Sequence, residues 1–221
     1  MQLWVIKLKK ILFVAGFLKE KKDVERSEKY RSVLERELGR SVILFNYGDE
    51  PSERDLHQSA WELWSLYNEV KPCAIIAHSM GTLVVRDMLK FVTCFNETRI
   101  PIIFIEGPNN GIPLWKMILT SYHFPLTRKC VRNMWRGSIF MKNLILRDDI
   151  SNNNILEIQG SFAQWWLTKS FIAGRGIFEK IPESKLVIFP EVDHRDLPAN
   201  REVIMEIQKF LTPYLPTVTT K

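Results

Sequence analysis

Cysteine is scarce in this chain. Cys73, Cys94 and Cys130 stand at no spacing that suits a metal ion or a disulfide framework. An odd count without a pairing pattern suits a reducing compartment, and Cys73, which leads into an apolar run, reads as a small buried hydrophobe. Long apolar runs are also missing. Met1 to Leu18 is apolar, but Lys7, Lys9 and Lys10 interrupt it, and the run after Lys10 is too short to span a bilayer. No small-residue cleavage pattern marks a secretory leader, so a cytoplasmic protein is expected. The sequon Asn96-Glu97-Thr98 has no meaning without secretion. No phosphate loop, dinucleotide fingerprint or metal-ligand cluster occurs, so neither a cofactor nor a metal is inferred. Internal repeats and domain linkers are absent as well.

What is present is ordinary in bulk. A chain of 221 residues, 46% hydrophobic and 25% charged, suits one globular domain, here residues 1–212 with a flexible tail at 213–221. The net charge is +6, and Lys and Arg read as interleaved with acids. That is a solvated surface and not a nucleic-acid stripe, so no nucleic-acid partner is expected. A weak attraction to a membrane surface stays open, and would require the charge to gather beside an apolar segment. Oligomeric state is not readable.

Along the chain, apolar runs of strand length alternate with amphipathic stretches. Ile11-Leu12-Phe13-Val14 reads as a buried strand ending in Ala15-Gly16-Phe17-Leu18. Lys19 to Arg40 has Tyr30, Val33, Leu34 and Leu38 at helical spacing, with Gly39 as a stop. Ser41 to Tyr47 is the next strand. Pro51 and Ser52 open a helix with Asp55 at the capping-box position and Leu56, Ala60, Leu63, Trp64 and Tyr67 inward. Further strands are expected at Ala74–Ala77, Ile100–Glu106, Ile155–Gln159 and Lys185–Phe189, and a last helix at about Asn200–Leu211. This alternation predicts an α/β fold with a mostly parallel central sheet and helices on both faces. Between Gly107 and Ile155 the chain is apolar and aromatic without strand rhythm, so about 110–150 forms helices on the sheet or a cap over an apolar pocket. Trp165-Trp166-Leu167 and Phe171-Ile172 make a second such patch.

The chemistry centres on Ala77-His78-Ser79-Met80-Gly81. A buried strand, a Ser with a small residue two positions to either side, and a following helix form the grammar of a nucleophile elbow, with Ala for its first Gly. The helix directs its free N–H groups and positive dipole end at the place where an oxyanion would form. A serine needs a base. Of four histidines, His57 reads as a surface residue, His78 as a packing residue turned away from the elbow, and His123 has no assigned role. His194 lies on a loop between the last strand and the last helix, which returns to the carboxyl edge of the sheet, and is the expected base.

The elbow, the Ala15-Gly16-Phe17 turn, the Gly107-Pro108-Asn109-Asn110-Gly111 segment and the late Asp193-His194 follow the order seen in the α/β-hydrolase superfamily. The chain resembles its lipase/esterase branch from about Ile11 to Leu211. The resemblance implies acyl transfer by Ser79 and His194, with the backbone N–H groups of Met80 and Phe17 as the oxyanion hole. It implies a small-molecule or lipid ester as substrate and a serine esterase or lipase as the activity. A thioesterase or amidase would use the same residues. The family's usual acid, an Asp after the penultimate strand, is missing, since Ala163 or Gln164 stands there. Three placements remain: Glu106 at the end of the preceding strand, as in pancreatic-type lipases; Asp148, Asp149 or Asp196; or no acid at all. With no acid, the chain would be a weak or inactive hydrolase-fold binding module.

Overall fold

A computed structural model of the chain describes residues 10–16, 21–47, 53–94, 100–119, 126–145, 154–160 and 184–215. Six strands form one parallel sheet: β1 (Ile11–Val14), β2 (Val42–Leu44), β3 (Ala74–His78), β4 (Ile102–Ile105), β5 (Ile155–Gly160) and β6 (Ser184–Phe189). Their order across the sheet is β2-β1-β3-β4-β5-β6. β1, β3 and β4 are buried at every position, as expected for strands covered on both faces. The expected strand 41–47 shortens to β2, although the Phe45 N–H still donates to Phe13 O at 2.8 Å.

Seven helices surround the sheet among the described residues. α1 (Lys21–Leu38) buries Ser27, Tyr30 and Leu34 along one stripe. α2 (Leu56–Val70) begins later than expected. Asp55 is its N-cap and not its capping-box residue: the carboxylate accepts the His57 N–H at 2.8 Å. It ends at Lys71 in the left-handed region, one residue before Pro72. α3 (Gly81–Cys94) follows the elbow. The aromatic stretch after β4 holds three short helices: α4 (Leu114–Leu119), α5 (Lys129–Met134) and α6 (Ile139–Ile145). α7 (Arg201–Leu211) is capped by Asn200 and buries Val203, Ile204, Ile207 and Leu211.

The chain steps one way from β1 to β2, then crosses back past β1 to β3 and on to β4. Right-handed crossovers therefore put α1 on one face and α2 and α3 on the other. The helix contacts agree: α1 packs with α7, and α2 with α3 and α5. The reversal lies between β1 and β3, and the crevice outside their carboxyl ends is where such sheets hold ligands. No helix among the described residues is long and apolar enough to cross a membrane. The patch at 165–172, the residues before position 10 and the end of the tail lie outside the described residues.

Candidate active site

Ser79 sits at the end of β3 with φ +54°, in the left-handed region that a Cβ disfavours by about 1–3 kcal/mol. The surroundings enforce it. The Ser79 N–H donates to Ile105 O (2.9 Å), and Thr82 Oγ1 donates to Ser79 O (2.8 Å). Gly81 is required, because a Cβ there would lie 2.4 Å from Val14 O and 2.5 Å from Ala15 O. Position 16 is also tight, since a Cβ there would meet Ser79 Cβ at 2.8 Å. The elbow is thus wedged against the end of β1, at the reversal point of the sheet.

The structure brings His194 and Glu106 to this serine. His194 Nε2 lies 3.0 Å from Ser79 Oγ, and His194 Nδ1 lies 3.0 Å from Glu106 Oε2. Nδ1–H donates to the carboxylate, which leaves Nε2 free to accept from the hydroxyl. Glu106 ends β4, also in the left-handed region (φ +44°), and is 3% exposed. β3 and β4 are neighbours in register, so their two strained terminal residues lie side by side. Burial pushes the Glu106 carboxyl up to about 8, against the lowering effect of the Gly160 backbone hydrogen bond. Burial also pulls the His194 imidazole down to about 4. Both shifts disfavour charge, as burial does. Asp196 is exposed, and Asp148 and Asp149 lie outside the described residues.

The end of β5 explains how an acid reaches His194 from β4. A Cβ on Gly160 would lie 2.5 Å from Val192 O and 3.2 Å from Glu106 Oε2. The Glu106 carboxylate thus uses the space left bare at Gly160, while Ala163 and Gln164, where the family's Asp is expected, lie outside the described residues. A glycine closing an apolar strand was the available signal. His78 is buried, as expected of a packing residue, but its direction was misread. It does not turn away: its Nε2 lies 3.0 Å from His194 O, and the two rings are 4.6 Å apart. Burial holds its imidazole well below the usual range, so it is a neutral N–H donor. Tyr30 of α1 donates to the next carbonyl, Arg195 O, and meets the His78 ring edge-on. His57 is exposed, yet its Nδ1 pairs with the buried Asp87 at 2.6 Å.

Of the expected oxyanion donors, Met80 begins the turn into α3, and Phe17 lies outside the described residues, as does His123. Behind the elbow, buried Arg86 donates to Asn109 O at 2.8 Å, which ties the Gly107–Gly111 segment to α3. An open apolar groove of about 470 Å³ lies among α4, α5 and α6, with Leu114, Met117, Trp135 and Ile139 in its walls. None of the three relay residues lines it. No cluster of His, Cys, Asp or Glu suited to a metal occurs among the described residues.

No protein-family model matches the chain, and no curated protein does. Solved structures match in fold. A carboxylesterase of Nitrososphaera gargenis aligns with a TM-score of 0.63 at 14% identity, over 94% of this chain and 91% of its own. A bromoperoxidase from Bacillus anthracis gives 0.60 at 15% identity, over 93% and 92%. Aspergillus fumigatus lipase B gives 0.56 at 14% identity over 70% of this chain, which spans 38% of that lipase's length. The chain has the α/β-hydrolase fold. Identity this low carries the fold and leaves the reaction to the site.

Proposed function

We propose that the chain is a serine hydrolase that cleaves carboxylic esters through an acyl-enzyme on Ser79. The observation that carries this reading is the Ser79–His194–Glu106 relay, with both links at 3.0 Å. Ser79 Oγ attacks the ester carbonyl carbon while His194 Nε2 takes the hydroxyl proton. The oxyanion sits at the start of α3, held by the Met80 N–H, with the Phe17 N–H as the second donor that the family resemblance implies. Each such donor stabilises the transition state by roughly 3 kcal/mol. Collapse expels the alcohol, which leaves with the proton from His194. A water deprotonated by His194 then frees the carboxylic acid. Glu106 holds the Nδ1–H tautomer and stabilises the imidazolium that forms in both steps.

A hydrolase-fold binding module is the competing reading, and the strained Ser79 and buried Glu106 argue against it. Desolvating a carboxyl is costly, and nothing in binding alone calls for both groups around one histidine. A thioester or amide could occupy the same site.

The test is hydrolysis of p-nitrophenyl esters from acetate to palmitate by wild type, Ser79→Ala, His194→Ala and Glu106→Gln, with folding checked by circular dichroism. Turnover by wild type, lost in all three folded variants, supports the triad, and the chain-length profile sizes the acyl pocket. If wild type is inert on every ester and a fluorophosphonate fails to label Ser79, the enzyme reading falls.

A further inference from the structure

The interleaving of charge expected from the sequence fails in one place. Between Gly107 and Arg147 there are seven Lys or Arg and no Asp or Glu. The whole chain has 31 basic and 25 acidic residues, so without those seven it keeps 24 basic against 25 acidic. The entire positive excess lies in the segment that holds α4, α5 and α6. Arg128 is paired with Glu53, whereas Lys129, Arg132 and Lys142 are exposed and form no ion pair with any described residue.

The same segment exposes apolar side chains. Ile139 is 79% exposed, and Trp115 and Ile118 are 55% exposed. Leu114, Trp115 and Ile118 form one stripe on α4, while Met117 faces inward. Leu114, Ile139, Trp135 and Arg132 surround the open groove, so apolar and basic groups share one mouth. The scaffold under them is firm. The Ile112 N–H donates to Met134 O (2.7 Å), and the Arg136 N–H donates to Ile112 O (3.0 Å). Asn133 Oδ1 accepts the first N–H of α2 at 3.0 Å.

We propose that the α4–α6 face docks on an anionic lipid surface. Basic side chains would engage lipid headgroups while Trp115, Ile118 and Ile139 enter the boundary with the acyl chains. Such pairing of cations with exposed aromatic and aliphatic groups is the composition of an interfacial surface. A nucleic acid would meet the charge but gain nothing from Ile118 and Ile139, which offer no stacking plane. The docking needs no chemistry at Ser79.

The experiment is vesicle sedimentation of the full chain with phosphatidylcholine alone and with about one third phosphatidylglycerol, in low and physiological salt. Wild type and Ser79→Ala should both sediment with anionic vesicles, less so as salt rises, and weakly with neutral ones. Lys129→Glu/Arg132→Glu/Lys142→Glu should lose on the order of a hundredfold in vesicle affinity, from about a fivefold loss per cation near the surface. Trp115→Ser/Ile118→Ser should lose binding at both salt concentrations. Both variants should keep the wild-type circular dichroism spectrum. Equal sedimentation with neutral vesicles, undiminished binding by the charge variant, or binding of a single-stranded oligonucleotide with none to vesicles would overturn the proposal. Inert esters with intact vesicle binding would sink the hydrolase reading alone. Ester turnover without vesicle binding would sink the docking alone.

Discussion

The carboxyl edge of the sheet and the α4–α6 segment handle their awkward groups in opposite ways. At the edge, polar side chains are buried or half-buried and each is held: Ser79 by His194, His194 by Glu106 and His78, the Arg195 carbonyl by Tyr30. In the segment, apolar side chains are exposed, with Ile139 and Trp115 facing outward. Burying an unpaired polar group is costly, so the edge must be complete within one molecule. Exposing scattered apolar groups costs little, so the segment can persist without a partner. That is the difference expected between the proposed catalytic site, finished by its own fold, and the proposed docking surface, which is completed by something outside it.

The largest effect that tests this contrast is at Ser79. Ser79→Ala should lower kcat by roughly 10⁴-fold or more, as loss of a triad nucleophile does. Burst titration and steady-state turnover of p-nitrophenyl acetate would measure it, and a variant within tenfold of wild type would remove Ser79 from the chemistry. Glu106→Gln should cost about 10⁴ in kcat, by analogy with the acid of the serine-protease template.

Glu106→Gln also sharpens the idea that the edge trades stability for function. A carboxyl raised from 4.5 to about 8 contributes stability that is complete below pH 4.5 and lost as pH rises through about 8. Glutamine has no such loss. Thermal melts should coincide near pH 4, and the variant should melt higher at pH 8. Equal melting at both pH values would mean that burying this carboxyl costs nothing. The same shift sets the rate profile. The proposed mechanism needs ionised Glu106 beside neutral His194, so kcat/KM for a neutral ester should rise between pH 6 and 9 as the Glu106 carboxyl loses its proton. A profile already flat at pH 6 would contradict that.

His78→Phe keeps the ring and removes the donor to the His194 carbonyl. A misplaced base should lower kcat by about 10–100-fold with little change in KM, from the sensitivity of rate to small misplacements. The buried acceptor left behind should cost about 1–3 kcal/mol in a denaturant melt. If kcat is unchanged, the contact is packing only. The smallest effect belongs to the segment: Ile139→Ser should change stability by less than about 0.5 kcal/mol. A larger loss would show that this side chain is already partnered within the molecule.

Much of this was legible before the structure. Strand runs such as Ile11–Val14 and the helical spacing of Val203, Ile204 and Ile207 are local patterns, and they fall where expected. The elbow is local too, because small residues and a Ser within five positions describe one turn. His194 could be named from its place after the last strand. Glu106 could be named only among alternatives, because its reach depends on the vacancy at Gly160, 54 positions along the chain. The direction of His78 was misread for the same reason, since its partner is 116 residues away. The charge of the α4–α6 segment stood in plain sight, but a net value averaged over 221 residues concealed it.

By itself, then, the sequence determined the elements, their alternation, the parallel sheet and the candidate nucleophile, because each follows from periodicity or from sterics within a few residues. Only the tertiary structure decided which carboxylate meets His194, what holds that histidine's backbone, and which apolar side chains stay outside. Those outcomes depend on strand order and on the fit of distant segments, where a gap of one side chain at Gly160 or a stripe of exposure on α4 exists only once the sheet has closed around them.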